Sequence, residues 1–201
     1  MPDEEIGDPA ASLVTARPCD TNLGSEVSFA QARSLLETCL RHDNCTPPAR
    51  KFVPSRVIDT DNETGPRLRA TRTGEDMFEY LALSYVWGME QTYVTTNDTI
   101  GDKSDHLDMS QLPKTILDAI EVTRKLGFRF LWVDSLCIIQ DSKEDKRREI
   151  SQMRLIFRHA TLTIAAGKAS IVADGFLTEP DPQWFMEPFK IPFRCPDSRF
   201  R

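Results

Sequence analysis

Three short apolar runs, Tyr80–Val86 (YLALSYV), Phe128–Val133 (FRFLWV) and Ala160–Ala166 (ATLTIAA), alternate with two stretches of helical periodicity, and this order constrains the fold more than any other feature of the chain. The first two fit strands buried in the sheet, the first on both faces, and the third fits a further strand. The breakers that close them are Trp87-Gly88, Asp134 and Gly167. Between the first two runs, Pro113 opens a helix at its first turn. Ile116, Ala119, Ile120, Thr123 and Leu126 form its inward stripe, and Gly127 sits just past its end. Between the second and third, Asp145–Arg158 predicts another amphipathic helix, with Ile150, Met153 and Phe157 inward and Lys146, Arg147, Arg148 and Arg154 largely outward. Strand, helix, strand, helix, strand predicts an α/β fold: an open, mainly parallel sheet with right-handed crossovers and helices on its flanks.

The segments around this unit divide the chain. Residues 1–25, rich in Asp, Glu, Pro and Ala without apolar period, read as a disordered acidic lead-in. From Val27 to Leu40 the positions Val27, Ala30, Leu35, Leu36 and Leu40 predict an amphipathic N-terminal helix, ended before Pro47-Pro48. Ser55–Thr60 and Arg67–Thr71, separated by the turn formers 61–66, predict a β-hairpin. The polar stretch Met89–Gln111 exceeds the usual loop of roughly 4–6 residues, so it is a functional loop or hides a short helix. Residues 26–177 form the predicted domain. The last segment, 178–201, holds five prolines and five aromatics (Trp184, Phe185, Phe189, Phe193, Phe200), which predicts an extended strap laid over it. Its ending, CPDSRFR, has no terminal element and reads like that of a fragment.

Composition excludes several classes. No apolar run approaches the roughly 20 residues that span a bilayer, and the N-terminus lacks a basic start and an apolar signal core. Five cysteines, an odd number, argue for a reducing compartment, with the cytoplasm or the nucleus as the default and a cytoplasmic location expected. The net charge of −6 belongs mostly to residues 1–26, where six acids face Arg17 alone. The rest is close to neutral, so no basic face is expected to bind nucleic acid or an anionic membrane. Cys39-x2-His42-x2-Cys45 supplies only three local ligands, and packing at a helix end is the favoured reading, so no metal is expected.

The segments SYVWG (Ser84–Gly88), LPKTILDAIEVTRKLGFRFLWVDSLCIIQD (Leu112–Asp141) and EISQMRLIFRHATLTIAA (Glu149–Ala166) together resemble the HET (heterokaryon-incompatibility) domain of filamentous fungi, over about Phe29 to Leu177. The resemblance implies a role in non-self recognition, innate immunity and programmed cell death, exercised through protein partners or self-association. It further implies a TIR-like (or flavodoxin-like) fold, since HET domains are held to be distant relatives of TIR domains, some of which cleave NAD. Leu83-Ser84-Tyr85 is similar to the first TIR strand, and Gly127 to Asp134 to the glycine, strand and aspartate of the second. The stretch Gly167–Leu177, where TIR enzymes carry their catalytic glutamate, holds Asp174 and no glutamate.

Ligands of open parallel sheets bind beyond the carboxyl ends of the strands. Trp87-Gly88, Asp134–Gln140 and Gly167–Ser170 are therefore expected on one edge. Ser84, Tyr85, Trp87 and Gly88 can shape a slot for a planar ring, or Tyr85 and Trp87 can be half-buried packing residues. Asp134, followed by Ser135, can anchor a ribose hydroxyl or cap the next turn. Cys137 reads as a small hydrophobe more than as a nucleophile, and Gln140 can bond ligand or backbone. Glu149 is either the working carboxylate of a glycoside-type cleavage or an exposed helix charge paired with Lys146 or Arg148. His106 and His159 lack a catalytic pattern. The resemblance implies two functions: a signalling module that self-associates, or an enzyme that consumes NAD as substrate, in which no cofactor is required beyond that nucleotide.

Overall fold

The three apolar runs are adjacent, parallel strands of one sheet. The computed structural model describes residues 22–41, 52–72, 78–88 and 91–177. Its elements are helix α1 (Glu26–Arg41), strands β1 (Arg56–Asp59), β2 (Arg67–Ala70) and β3 (Tyr80–Ser84), helices α2 (Ile100–Asp105) and α3 (Lys114–Lys125), strand β4 (Phe130–Trp132), helices α4 (Asp134–Cys137) and α5 (Lys143–His159), and strand β5 (Leu162–Ala165). The sheet order is β2-β1-β4-β3-β5. β3 is central to the parallel trio, with Leu81 opposite both Leu131 and Leu162.

The expected hairpin forms, but as an extension of the sheet. β1 pairs antiparallel with β2 and also with β4, Ile58 facing Leu131. An ion pair between a half-exposed arginine and a buried aspartate holds that second seam: Arg129 grips both oxygens of Asp59 at 2.7 and 2.8 Å. Burial pushes the Asp59 carboxyl up, but the Arg129 hydrogen bonds and charge outweigh it and hold it below the usual range.

The crossovers from β3 to β4 and from β4 back to β5 run in opposite directions across the sheet, so right-handed connections put α3 and α5 on opposite faces. α5 covers the face of Tyr80 and Trp132: the Tyr80 hydroxyl donates to the Ile156 carbonyl at 2.6 Å, and the Trp132 ring meets Phe157 edge-on. α3 buries the whole predicted stripe, from Ile116 to Thr123, followed by Leu126. The polar stretch after β3 does hide a short helix, α2, and residues 89–90 lie outside the described part.

Two helix faces differ from the expectation. In α1 the buried residue is Phe29, while Val27, Leu35 and Leu40 are exposed, Leu35 at 73%. The cause is polar docking on the end of α3: Arg33 donates to the Lys125 carbonyl at 2.6 Å, and Lys125 pairs with Glu26. In α5, Ile150 is 56% exposed and its neighbour Glu149 is fully buried. The lead-in 1–21, His42 and Cys45 of the cysteine-histidine motif, and the strap 178–201 lie outside the described residues. No helix among the described residues is long and apolar enough to cross a membrane.

Candidate functional site

The parallel strands end on one edge, and the loops that leave them meet there. β3 stops at Ser84, two residues before the end of its apolar run, because Ala166 takes the Ser84 carbonyl at 2.9 Å and the chain then turns outward, leaving Ser84 and Val86 exposed. Tyr85 lies inward. Its hydroxyl is 3.0 Å from Gln91 Oε1 and 2.9 Å from Ser135 Oγ, and Gln91 Nε2 donates to that same Oγ at 2.8 Å. Each member of this triangle gives one hydrogen bond and accepts one, so three polar groups are satisfied without solvent. Burial, and then the charge of Asp134, push the Tyr85 phenol far up. It is a neutral donor at any physiological pH.

Trp87 supplies the second link between the strand ends. Its indole Nε1 donates to Asp134 Oδ2 at 2.9 Å, while the Ser135 amide donates to Oδ1 at 2.7 Å. Asp134 thus opens α4 with one oxygen on the backbone and the other on a neighbouring loop. Burial raises its carboxyl above the usual range, and the Trp87 and Ser135 hydrogen bonds oppose that rise. Replacing Trp87 by phenylalanine removes the indole donor and keeps an aromatic ring, so the Asp134 carboxyl is expected to titrate at still higher pH. Carboxyl-carbon NMR across an acid titration reads this shift directly, and an unmoved or lowered midpoint contradicts the assignment.

Gly88 brings the third loop into contact. Its φ is +82°, and a Cβ there would lie 3.0 Å from both Cβ and Cγ2 of Ile171. Only glycine allows the turn after Trp87 to rest on the segment beyond β5.

These loops border a depression of about 330 Å³. Trp87, Asp134, Ile138 and Gln140 line it together with Lys146, Ile150 and Met153 of α5. The Gln140 side chain is turned on its own loop, donating to the Asp134 and Ile138 carbonyls at 3.1 Å each. A larger depression of about 470 Å³, against α3 at Met109, Leu117, Glu121 and Arg124, contains none of the predicted site residues.

Of the nine predicted site residues, Trp87, Asp134 and Gln140 line this depression, and Ser84, Tyr85, Gly88, Ser135, Cys137 and Glu149 do not. Ser135 and Cys137 are fully buried. The Cys137 thiol is pushed up to about 12 by burial, so it is no nucleophile near neutral pH. Glu149, expected either at the strand-end edge or in water, occupies neither place. Its Oε1 accepts from Ser55 Oγ at 2.6 Å and Arg148 Nε at 3.1 Å, and Oε2 has no partner among the described residues.

Sequence reasoning missed Arg56, which fixes the loop carrying Gln140. Its guanidinium donates to the Cys137 carbonyl at 2.7 Å and pairs with Asp145, whose same oxygen accepts from the Ile139 amide at 2.8 Å. No local pattern marks an arginine that acts 89 residues away. The helical pattern of Lys146, Ile150 and Met153 reports helix faces only, although their spacing of four and three places them on one side of α5. Among the described residues no three His, Cys, Asp or Glu side chains cluster as metal ligands. An indole, aliphatic side chains, one carboxylate and one ammonium make a surface suited to recognition.

The family model described as heterokaryon incompatibility protein (HET) matches residues 80–188. The match begins at the first residue of β3 and takes in the parallel strands and every candidate residue named above, while α1 and the hairpin lie outside it. No curated protein and no solved structure matches the chain.

Proposed function

The chain belongs to the heterokaryon incompatibility (HET) family, and from that premise we propose that it is a signalling domain of non-self recognition that triggers cell death by associating with further copies of itself. The observation that carries this reading is the depression at the strand ends, where Ile150 stands 56% exposed beside Trp87 and Met153. A large aliphatic side chain at the rim of an indole-lined hollow suits a contact with another chain better than a solvated surface. The loops around it are tied to the sheet by the Tyr85–Ser135 and Trp87–Asp134 bonds, so contact there would meet a preformed surface. Ile150→Asp is the test, because an exposed helix position tolerates substitution within about 0.5 kcal/mol. Expressed in fungal cells as the full chain, the wild type is expected to cause death and to co-purify with a differently tagged copy. The variant is expected to do neither at an unchanged melting temperature. Undiminished death and association in the variant overturn the reading.

A second reading, cleavage of NAD at its nicotinamide–ribose bond, is favoured by one observation: an indole and a carboxylate of raised proton affinity share the depression. Trp87 would stack on nicotinamide and Asp134 would meet a ribose hydroxyl. Glu149, held in the interior by Ser55 and Arg148, would act at most by positioning α5. Nicotinamide release by the full chain, lost in Asp134→Asn and kept in Glu149→Gln, is the expected result. Absence of nicotinamide removes this reading and leaves the first intact.

A further inference from the structure

The depression continues into a cationic surface that the overall negative charge of the chain conceals. Ile150 has Lys146, Arg147 and Arg154 as its i−4, i−3 and i+4 neighbours on α5, and Lys143 lies one turn further back. None of these four cations makes an ion pair or hydrogen bond with a described residue. The ion pairs of this helix run instead from Asp145 to Arg56 and Arg148 and from Glu149 to Arg148, on another side. Asp134, the one carboxylate lining the depression among the described residues, is turned to the Trp87 indole and the Ser135 amide. An exposed aliphatic group ringed by such cations is the complement of an aliphatic side chain flanked by acids.

The chain itself contains that complement. Residues 3–8 read Asp-Glu-Glu-Ile-Gly-Asp, four acids around Ile6, within the stretch that holds nearly all of the net negative charge. Fifteen residues separate Ile6 from Asn22, the first described position. Extended, they span up to about 50 Å at roughly 3.3 Å per residue. A domain of this size is about 40 Å across, so the segment can reach α5.

We propose that residues 3–8 dock in cis on the Lys143–Arg154 side of α5, with Ile6 against Ile150 and Met153 and the acids on Lys143, Lys146, Arg147 and Arg154. The proposal rests on the reading that the strand-end depression is a binding surface, and it assigns that surface an occupant that competes with self-association. Both contributions matter: the charges give attraction that salt screens, and the isoleucine gives register.

Zero-length carbodiimide coupling of the full chain, followed by peptide mass spectrometry, tests it. The coupling joins a carboxylate to a lysine amine in direct contact. The Glu26–Lys125 pair serves as the internal control of folding and reactivity. Links from Glu4, Glu5 or Asp8 to Lys143 or Lys146 are expected in the monomer fraction. They should fall at least fivefold in about 0.5 M salt, where the Debye length is under about 5 Å, and equally in the Arg147→Glu/Arg154→Glu variant. The Glu26–Lys125 link should persist in that variant. Absence of the segment-to-α5 links while the control link forms overturns the proposal. So do links found only between isotopically distinct copies, or links unaffected by the charge reversal. These outcomes do not depend on cell death or NAD cleavage, so failure here leaves the proposed function standing, and its failure leaves this result standing.

Discussion

Arg56→Ala is expected to destabilise the fold by about 3 kcal/mol or somewhat more, the loss typical of a buried ion pair stripped of one member. For a domain of this size that lowers the melting temperature by on the order of 10 °C. Arg56 and Asp145 are both buried, with side chains 10% and 6% exposed. Removing the guanidinium leaves the Cys137 carbonyl without its donor and Asp145 with the Ile139 amide and the half-exposed Arg148 as partners. The double variant Arg56→Met/Asp145→Leu is expected to recover more than half of the loss, since replacing both members by apolar groups removes the uncompensated charge. Chemical unfolding followed by circular dichroism measures both. A double variant no more stable than the single one shows that the guanidinium acts through the Cys137 carbonyl and not through Asp145.

The same pair fixes a pH dependence. Burial pushes the Asp145 carboxyl up, but its hydrogen bonds to Arg56 and the Ile139 amide and the charges of Arg56 and Arg148 prevail, so it is held below the ordinary value. A depressed carboxyl contributes stability that is present above the unfolded value near 4 and is lost as pH falls through the folded one. Asp134 is shifted the opposite way. Its contribution is present below the unfolded value and is lost as pH rises through the folded one. In Arg56→Ala the acid limb is therefore expected to flatten, because the carboxylate whose protonation steepens it has lost its main partner.

The parallel trio was legible because its signal is local: each strand is a short apolar run that meets a breaker, and α3 shows its stripe without interruption. The pairing of β1 with β4 was not legible, since RVID is too short to carry a period and its partner lies some 70 residues on. Hydrophobicity places Ile150 inside, and Glu149 reads as a working carboxylate or an exposed helix charge. The order is reversed because Ser55 and Arg148 satisfy one oxygen of the glutamate in the interior, and no pattern along one helix reports a hydroxyl arriving from the hairpin. For the candidate site, the strand-end position of Trp87, Gly88 and Asp134 followed from topology. Which of the nearby polar residues would face the hollow did not, because Ser135 and Cys137 sit on a single four-residue turn whose rotation is set by bonds to Tyr85 and by Arg56.

Gly175→Ala is expected to destabilise by about 2–4 kcal/mol, against no measurable change for Gly167→Ala in the same loop. Gly175 has φ +73°, where an alanine is strained by about 1–2 kcal/mol. Its Cβ would also lie 2.5 Å from Lys114 Cγ and 2.6 Å from Asp118 Oδ2. The lysine stem can move, but the carboxylate cannot move without loss. Asp118 is fully buried, and its Oδ2 accepts from the Phe176 and Leu177 amides at 2.7 and 3.0 Å. Displacing it strands two amides and a charge, each a larger penalty than a net hydrogen bond. At Gly167 an added Cβ meets nothing within 4 Å, so that variant reports what a methyl does when neither contact nor strained backbone is involved. Urea midpoints of the two variants decide the matter, and equal midpoints refute the role of Asp118 as the latch. The latch bears on the site because Thr115, one turn before Asp118, takes the Val172 carbonyl at 3.0 Å and accepts from Gly175, so α3 holds the segment that presents Ile171 to Gly88. A loosened Gly175 variant should therefore lose fluorescence anisotropy at Trp87 before it loses the sheet, and simultaneous loss of both would mean that the loop and the strands unfold as one unit.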